Sequence, residues 1–344
     1  MIKDYNKNVC FSIGIELEGI VVDLFESLKS KIQSENIRIV FPEGTDPRIL
    51  GAAARLKKDG LLDPVLLGNP EEIKKVSKEQ GTDIGDLEII DPNNYAEFDK
   101  MVQAFVERRK GKATEEQARE LLKDVNYFGT MLTYTDKVDG LVSGAVHATG
   151  DTVRPALQII KTKPGVHLTS GSFVMLRGEE RYLFADCAIN IAPNAQQLAE
   201  IAVESAKMAE VFDIEPRVAM LSFSTKGSAK SDEVTKVQEA TKLAQKMAPN
   251  YEIDGELQFD AAFIESVGQR KAPGSKVAGK ATVFVFPEIQ SGNISYKIAQ
   301  RFGNFEAIGP ILQGLNKPIS DLSRGCNEED VYKLAIITAN QSLI

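Results

Sequence analysis

The sequence predicts an α/β fold built from two α/β units. From about residue 37 onward, short apolar strands alternate with amphipathic helices, and the connections between them are only a few residues long. This order is typical of a parallel sheet covered by helices on both faces. The alternation resumes after an antiparallel hairpin in the middle of the chain. Because 344 residues are too many for one ordinary hydrophobic core, we expect two domains.

The elements of the first unit follow from hydrophobic periodicity and from capping residues. Residues 1–21 show no clear pattern, and we assign them no role. A short amphipathic helix is expected over 23–33 with Asp23 as its N-cap, and Thr114 with Gln117 forms a capping box that opens another helix. The remaining elements of this unit are strands over 37–41, 65–67, 87–90 and 139–145, and helices over 47–58, 71–80 and 95–109.

The second unit begins with the hairpin and continues as alternating helices and strands. Its elements are hairpin strands over 172–175 and 182–184, strands over 217–223 and 281–286, helices over 194–211 and 232–247, and a helix from near Ile294 after a turn at Ser291, Gly292 and Asn293. A last helix is predicted over 331–344 from its apolar spacing. We expect this helix to return to the first domain, which otherwise lacks a closing element.

Composition and charge exclude several classes of protein. The net charge of −8 argues against a general nucleic-acid binder, although a local basic cleft for an anionic small molecule stays compatible with it. No apolar run approaches the ~18 residues that span a bilayer, and Glu16 and Glu18 interrupt the N-terminal apolar stretch, so neither a membrane span nor a signal peptide is expected. Cys10, Cys187 and Cys326 are odd in number and far apart, which is typical of reduced thiols in the cytoplasm.

Motifs for a bound metal or nucleotide cofactor do not fit. Residues 274–281 nearly match a phosphate-binding P-loop, but they lack the Ser or Thr that holds magnesium and they lead into a strand. No G-x-G-x-x-G occurs, which weakens a nicotinamide-dependent interpretation. With two histidines and no Cys-x-x-Cys, a zinc site is not expected. We therefore expect no resident metal or cofactor.

Two stretches could carry chemistry. The first follows the strand over 139–145, where small, hydroxyl-bearing and glycine residues precede an arginine at a strand's C-terminal end, an arrangement that suits a phosphate or carboxylate. Its candidate residues are Ser143, Gly144, Thr149, Thr152 and Arg154. An ordinary strand–turn–helix connection explains the same residues equally well.

The second stretch lies before the last helix and contains Ser323, Arg324 and Asp330. On one continuous helix, Ser323 and Asp330 would be about 10 Å apart, whereas a loop that ends at an N-cap Asn327 lets the three side chains converge. The alternative is a plain helix start, in which Asp330 only stabilises the first turn and Arg324 is a solvated surface charge.

Five segments in order also carry a family resemblance. They are LVSGAVHATGDTVRPALQ (141–158), FSTKGSA (223–229), DGELQFDAA (254–262), SGNISYKIAQR (291–301) and KPISDLSRG (317–325). Over about residues 36–344 the chain resembles the phosphate acetyltransferases of the phosphate acetyl/butyryltransferase family, which exchange an acetyl group between acetyl-CoA and inorganic phosphate. The resemblance implies two α/β domains with a cleft between them, an isocitrate/isopropylmalate dehydrogenase-like fold, and a homodimer. It also implies a division into an extension of unknown role over 1–21, a first domain over 22–165 plus 310–344, and a second domain over 166–309.

The resemblance assigns roles to residues of both stretches. Ser323 and Arg324 match the Ser-Arg of the family's terminal motif, Asp330 matches its general base, and Arg154 matches an anion-binding arginine. A CoA-binding arginine falls on Arg108 or Arg109, of which we prefer Arg108. CoA, acetyl-CoA, acetyl phosphate and phosphate are the implied substrates, and the chain departs from the family pattern at Ser320 and Glu288.

The implied mechanism makes one structural prediction. In the direction of acetyl-CoA synthesis, the CoA thiol attacks acetyl phosphate while Asp330 takes the thiol proton, Arg324 holds phosphate and developing charge, and Ser323 hydrogen-bonds the thiol or the oxyanion. A carboxylate near pKa 4 is a weak base for a thiol near 8.5, a mismatch of about 6 kcal/mol. We therefore expect Asp330 to be partly buried in the cleft. A covalent route through Cys326 lacks a neighbouring histidine, and we interpret Cys326 as structural.

Three other functions stay open from the sequence. They are phosphate butyryltransferase activity, metal- and NAD(P)-dependent oxidative decarboxylation on the same fold, and acyl-CoA binding without catalysis.

Overall fold

The computed structural model describes residues 23–344, so Cys10 and the extension assigned to 1–21 lie outside the described residues. The strands are β1 Arg38–Phe41, β2 Asp63–Leu67, β3 Glu88–Ile90, β4 Gly140–Ser143, β5 Ser170–Arg177, β6 Glu180–Ala185, β7 Arg217–Leu221, β8 Glu252–Leu257, β9 Val283–Val285, β10 Glu306–Gln313 and β11 Ile319–Asp321. The helices are α1 Leu24–Ile32, α2 Pro47–Lys58, α3 Pro70–Gln80, α4 Phe98–Arg109, α5 Glu115–Leu121, α6 Val125–Tyr134, α7 Thr149–Pro155, α8 Ala195–Val211, α9 Asp232–Met247, α10 Phe259–Phe263, α11 Glu265–Lys271, α12 Ile289–Gly303 and α13 Glu328–Gln341. A 3₁₀ turn at Pro92–Asn94 precedes α4, and a π-helical turn at Ala156–Ile160 follows α7.

The first sheet has five parallel strands in the order β11-β4-β1-β2-β3. Its outermost strand, β11, comes from the C-terminal part of the chain and places Asp321 beside Ser143 of β4. The helix α13 packs on α2 and on strands β1 and β4. The prediction of a parallel sheet is confirmed, and so is the return of the C-terminal helix to it.

The second sheet has six strands in the order β10-β5-β6-β9-β7-β8. Strands β5 and β6 form the expected antiparallel hairpin, and β10 adds antiparallel to β5. Strands β6, β9, β7 and β8 are parallel. The chain is therefore an α/β protein with two mostly parallel sheets, as the sequence predicts.

Buried apolar side chains pack the two sheets against their helices and against each other. One cluster of the core contains Leu28 and Ile336 from helices of the first sheet together with Ile201 and Val218 from the second. No helix among residues 23–344 is long and apolar enough to cross a membrane.

The predicted turn at residues 291–293 is wrong, because these residues lie inside α12. The side chain of Glu288 caps this helix by accepting hydrogen bonds from the backbone N–H groups of Gln290 and Ser291. A Cβ at Gly292 would lie 2.3 Å from the carbonyl oxygen of Asp186. Glycine is therefore required here for close packing rather than for a turn.

The sequence also failed to reveal several elements. The helix α6 and the strands β8, β10 and β11 have no predicted counterpart. The helix predicted from residue 95 begins at Phe98, because Tyr95, which follows the 3₁₀ turn, has an extended backbone. Strand β11 leads directly into the turn that contains Ser323 and Arg324. Strand β11 has only three residues and β8 contains three acidic ones, so neither shows a clear apolar pattern. Strand β10 is interrupted by Gly309 and Pro310, and α6 is buried on most of its surface and so lacks a single apolar face.

Candidate active site

The loops that carry most of the predicted site residues meet at one edge of the first sheet. Strands β1, β4 and β11 end at this edge, since the carboxyl ends of parallel strands share one side. Glu43 follows β1, Gly144 follows β4, and Ser323 and Arg324 follow β11. The two candidate stretches of the sequence therefore lie at the same edge of the sheet.

Glu43, which sequence reasoning missed, shapes the loop after β4. Its side chain is 1% exposed, and its two oxygens accept hydrogen bonds from four consecutive backbone N–H groups, those of residues 144–147, at 2.8–3.1 Å. The ring of His147 adds a fifth contact through Nδ1 at 2.7 Å. Burial alone would raise the pKa of Glu43, but the hydrogen bonds outweigh it and lower the pKa. The only hint in the sequence is a glutamate in the Pro-Glu-Gly turn after the first strand.

A buried polar cluster lies beneath this loop. Asp321 is 1% exposed, and burial raises its pKa to about 6, although the nearby hydroxyls of Thr149 and Thr152 oppose the shift. Within residues 23–344, the side-chain oxygens Ser143 Oγ, Thr152 Oγ1 and Asp321 Oδ1 are buried without a hydrogen-bond partner of good geometry. Unpaired buried polar atoms are rare in folded proteins, and each calls for an explanation such as a catalytic role or a bound water.

The residues of the predicted anion site are only partly accessible. Ser143, Gly144 and Thr152 are buried, whereas the side chains of Thr149 and Arg154 on α7 are exposed. In this conformation Ser143 and Thr152 therefore support the site from below, and Thr149 and Arg154 form its surface.

The turn between β11 and α13 and the first turn of α13 expose the three candidate catalytic side chains. Ser323, Arg324 and Asp330 are all exposed, and the turn is closed by a hydrogen bond from the N–H of Cys326 to the carbonyl of Ser323 at 2.9 Å. Asn327 is the N-cap, as predicted, and exchanges hydrogen bonds with Asp330 in a capping box at 2.9 Å in each direction. The expectation that Asp330 is partly buried is wrong for this chain, because the first turn of α13 faces solvent.

Cys326 is poorly suited to act as a nucleophile. Its side chain is buried, and burial raises the pKa of the thiol to about 11, in spite of the nearby Arg48. A thiol must ionise to attack the carbonyl carbon of an acetyl group, so this environment disfavours a covalent route. The interpretation of Cys326 as structural agrees with its position.

A basic cluster adjoins the exposed surface of α7. The guanidinium of Arg108 donates hydrogen bonds to the carbonyls of Ile159 and Ile160 at 2.5 and 2.8 Å and lies 4.8 Å from the centroid of the Tyr134 ring. Arg109 makes only a long contact to the carbonyl of Gln158 at 3.4 Å. Both alternatives of the CoA-binding arginine are therefore in this cluster, but Arg108 is engaged by the protein itself.

Tyr127 connects this cluster with Arg154. Burial raises the pKa of Tyr127, and the positive charges of Arg154 and Arg109 oppose that shift, which places both guanidinium groups near one phenol. The pKa of Lys161 is lowered, first by burial and then by the nearby positive charges of Arg108, Lys110 and Lys112. Lys161 therefore belongs to the same cluster. Several cations at one place create a local positive potential on a chain whose net charge is −8.

The two departures from the family pattern lie in structural contacts. The Ser320 hydroxyl is buried 2.7 Å from the Thr338 hydroxyl of α13, and Glu288 caps α12. In the described part of the chain, no group of three or more His, Cys, Asp or Glu side chains is arranged to hold a metal ion.

Comparison with known proteins gives consistent results. The family model described as "Phosphate acetyl/butaryl transferase" matches residues 23–339. The chain is 63% identical over 323 residues to the phosphate acetyltransferase of Bacillus subtilis (strain 168), covering 94% of this chain and 100% of the relative. It is 61% identical over 328 residues to a phosphate acetyltransferase of Staphylococcus epidermidis, with the same coverage.

Solved structures agree with the sequence relatives. The chain is similar to the EutD phosphotransacetylase from Staphylococcus aureus, with a TM-score of 0.90 and 58% identity over 94% of this chain and 99% of that one. A phosphotransacetylase from Streptococcus pyogenes gives a TM-score of 0.91 and 61% identity over 93% of this chain and 98% of that one. A branched-chain phosphotransacylase from Enterococcus faecalis, at 20% identity and a TM-score of 0.64, shares the fold.

Proposed function

This chain belongs to the phosphate acetyl/butaryl transferase family and is a phosphate acetyltransferase, and on that premise we propose how its residues transfer the acetyl group. The reaction exchanges acetyl-CoA and phosphate for CoA and acetyl phosphate. Family membership sets aside the decarboxylating dehydrogenase and the non-catalytic binding protein that the sequence alone left open.

The proposed chemistry is direct attack of the CoA thiol on acetyl phosphate within a ternary complex. Asp330 takes the thiol proton, Arg324 neutralises the phosphate and the developing charge, and Ser323 donates a hydrogen bond to the thiol or the oxyanion. The observation that carries this proposal is that all three exposed side chains lie between the end of β11 and the first turn of α13, at the sheet edge that also holds the unpaired polar atoms of Ser143 and Asp321.

We infer that substrate binding supplies the desolvation that Asp330 needs. Its carboxylate is exposed in the chain alone, whereas removal of water raises a carboxyl pKa and brings it closer to that of a thiol. Closure of CoA over the first turn of α13 would provide this change. The capping contact with Asn327 holds the carboxylate in place meanwhile.

For CoA binding, the geometry favours Arg109 and Arg154 over Arg108 as the ligands of a phosphate group. The hydrogen bonds of Arg108 go to two backbone carbonyls, and a guanidinium that is already engaged gains less from a new partner. Arg109 and Arg154 flank Tyr127 and carry no carboxylate ion pair among the contacts of the described chain. Thr149 lies on the same exposed surface.

The two-domain division and the homodimer are further parts of the proposal. The two sheets support a division into two domains, and because β10 stays in the second sheet as far as Gln313, we place the return to the first domain just after it.

On α12, Ile294, Ile298 and Phe302 recur every four residues and are 55%, 51% and 87% exposed. An apolar stripe of this kind suits burial against a second copy of the chain. Cys187 and Cys326 are free thiols, which fits a cytoplasmic enzyme.

Initial-velocity kinetics with acetyl phosphate and CoA test the proposed mechanism. Direct transfer predicts intersecting double-reciprocal lines and retained activity in Cys326→Ala, whereas a covalent acetyl-enzyme predicts parallel lines and loss of activity in that variant. The same assay with butyryl phosphate measures acyl preference, for which we expect acetyl phosphate to give the higher kcat/KM.

A further inference from the structure

Arg48 joins two of the loops at the proposed active site. It is the second residue of α2, and its side chain is 29% exposed. Its Nη1 donates hydrogen bonds to the carbonyls of Arg324 and Cys326 at 2.9 and 3.0 Å, and its Nη2 donates to the carbonyl of Ala145 at 2.8 Å. One guanidinium therefore ties the turn after β11 to the loop after β4.

The plane of this guanidinium is itself held. The carboxylate of Asp46 accepts hydrogen bonds from Arg48 Nε at 3.0 Å and from Nη2 at 2.8 Å. Asp46 is also the N-cap of α2 and accepts from the backbone N–H of Arg48 at 2.9 Å. The orientation of the side chain is thus set by the start of a helix, which is a rigid part of the scaffold.

Arg48 contacts the backbone of the catalytic turn and none of its candidate catalytic groups. It binds the backbone carbonyl of Arg324, and the guanidinium of the same residue is proposed to hold the phosphate. On its other side, the loop that contains Ala145 is fixed by the buried carboxylate of Glu43. A movement of the catalytic turn relative to the loop after β4 must therefore break hydrogen bonds to Arg48.

We propose that Arg48 is a positioning residue for acetyl transfer, which holds the backbone of the turn so that the guanidinium of Arg324 points at the bound acetyl phosphate. This inference rests on the proposed role of Arg324. A displacement of about 1 Å in a reacting group can cost about 100-fold in rate. Lysine cannot replace Arg48, because a single ammonium lacks the planar fork that serves two loops and a carboxylate together.

The test compares Arg48→Gln, Arg48→Lys, Arg324→Gln and the double variant Arg48→Gln/Arg324→Gln. We expect both Arg48 variants to lower kcat by about 100-fold while the dissociation constant of CoA changes less than about threefold. Because Arg48 acts through Arg324, the kcat of the double variant should lie within about threefold of the kcat of Arg324→Gln. If the two residues acted independently, their effects on kcat would multiply.

Arg217→Gln is the matched control. Arg217 is 26% exposed, donates to the carbonyl of Lys280 at 2.6 Å and pairs with Glu215, but it lies at the start of β7, away from the catalytic turn. Urea unfolding of each variant shows whether the loss of stability is similar, and we expect kcat to stay near wild type in Arg217→Gln.

The possible outcomes separate the two hypotheses. If Arg324→Gln is slow but Arg48→Gln turns over within threefold of wild type, or if their effects multiply, the positioning role is overturned and the proposed role of Arg324 stands. If Arg324→Gln itself keeps wild-type turnover, the proposed function of that residue fails, and the positioning role fails with it. A kcat in Arg217→Gln as low as in Arg48→Gln at equal stability would also overturn the positioning role.

Discussion

Replacement of Arg109 by Gln should weaken CoA binding far more than replacement of its neighbour Arg108. The two arginines differ in what already holds them. Arg108 donates to the carbonyls of Ile159 and Ile160 at 2.5 and 2.8 Å, whereas Arg109 has a single contact at 3.4 Å. Arg109 is therefore the guanidinium with donors left for a phosphate of CoA.

The expected magnitudes follow from these contacts. A charge-assisted hydrogen bond contributes about 1.5–3 kcal/mol, so Arg109→Gln should raise the dissociation constant of CoA by roughly 10- to 150-fold. Its unfolding free energy should change by less than about 0.5 kcal/mol. Arg108→Gln loses hydrogen bonds to two carbonyls and should lower the unfolding free energy by about 1–3 kcal/mol, with CoA affinity within about threefold of wild type.

Isothermal titration calorimetry with CoA and urea unfolding test this prediction on wild type and on both variants. The reasoning is refuted if Arg108→Gln loses CoA affinity by tenfold or more while Arg109→Gln binds like wild type. Equal losses in both would mean that the cluster acts through its summed positive charge and that no single arginine makes a defined contact.

Two further predictions concern stability and assembly. Burial raises the folded-state pKa of Asp321 from 3.8 to about 6, so this group stabilises the folded state below about pH 4 and the contribution is lost as pH rises through 6. Between pH 4 and pH 7, the unfolding free energy of Asp321→Asn should therefore rise by about 2–3 kcal/mol relative to that of wild type. A difference in urea unfolding that does not change with pH would contradict the burial argument. Phe302→Asp should dissociate the proposed homodimer in sedimentation velocity, whereas Met247→Asp, at a residue that is 42% exposed on α9, should leave it intact; a dimer that survives Phe302→Asp would rule out the α12 stripe as the interface.

Much of the fold could be predicted because its signals are local. The helix Pro47–Lys58 is found where its apolar spacing and N-terminal proline indicate. The capping boxes at Thr114 and Asn327 are likewise visible in a few neighbouring residues. The hairpin of β5 and β6 needs only two apolar runs and the turn between them.

The site was less accessible, because its geometry depends on partners that are distant in sequence. Glu43 binds N–H groups about 100 residues away, and Arg48 binds carbonyls of Arg324 and Cys326 more than 270 residues away. Neither pairing leaves a local pattern. The exposure of Asp330 could not be predicted either, because it depends on how the first turn of α13 faces solvent and not on the residues of the turn.

The central claim, that Asp330 is the general base, is tested most directly by turnover and CoA affinity in Asp330→Asn. Asparagine can still accept the hydrogen bond from the N–H of Asn327, so the helix cap is preserved. Glu328→Gln removes a neighbouring exposed charge from the same first turn and controls for electrostatics. We predict a loss of about 10²–10⁴-fold in kcat with unchanged CoA affinity in Asp330→Asn, and near-normal turnover in Glu328→Gln. Wild-type turnover in Asp330→Asn would reduce Asp330 to a helix cap and contradict the account.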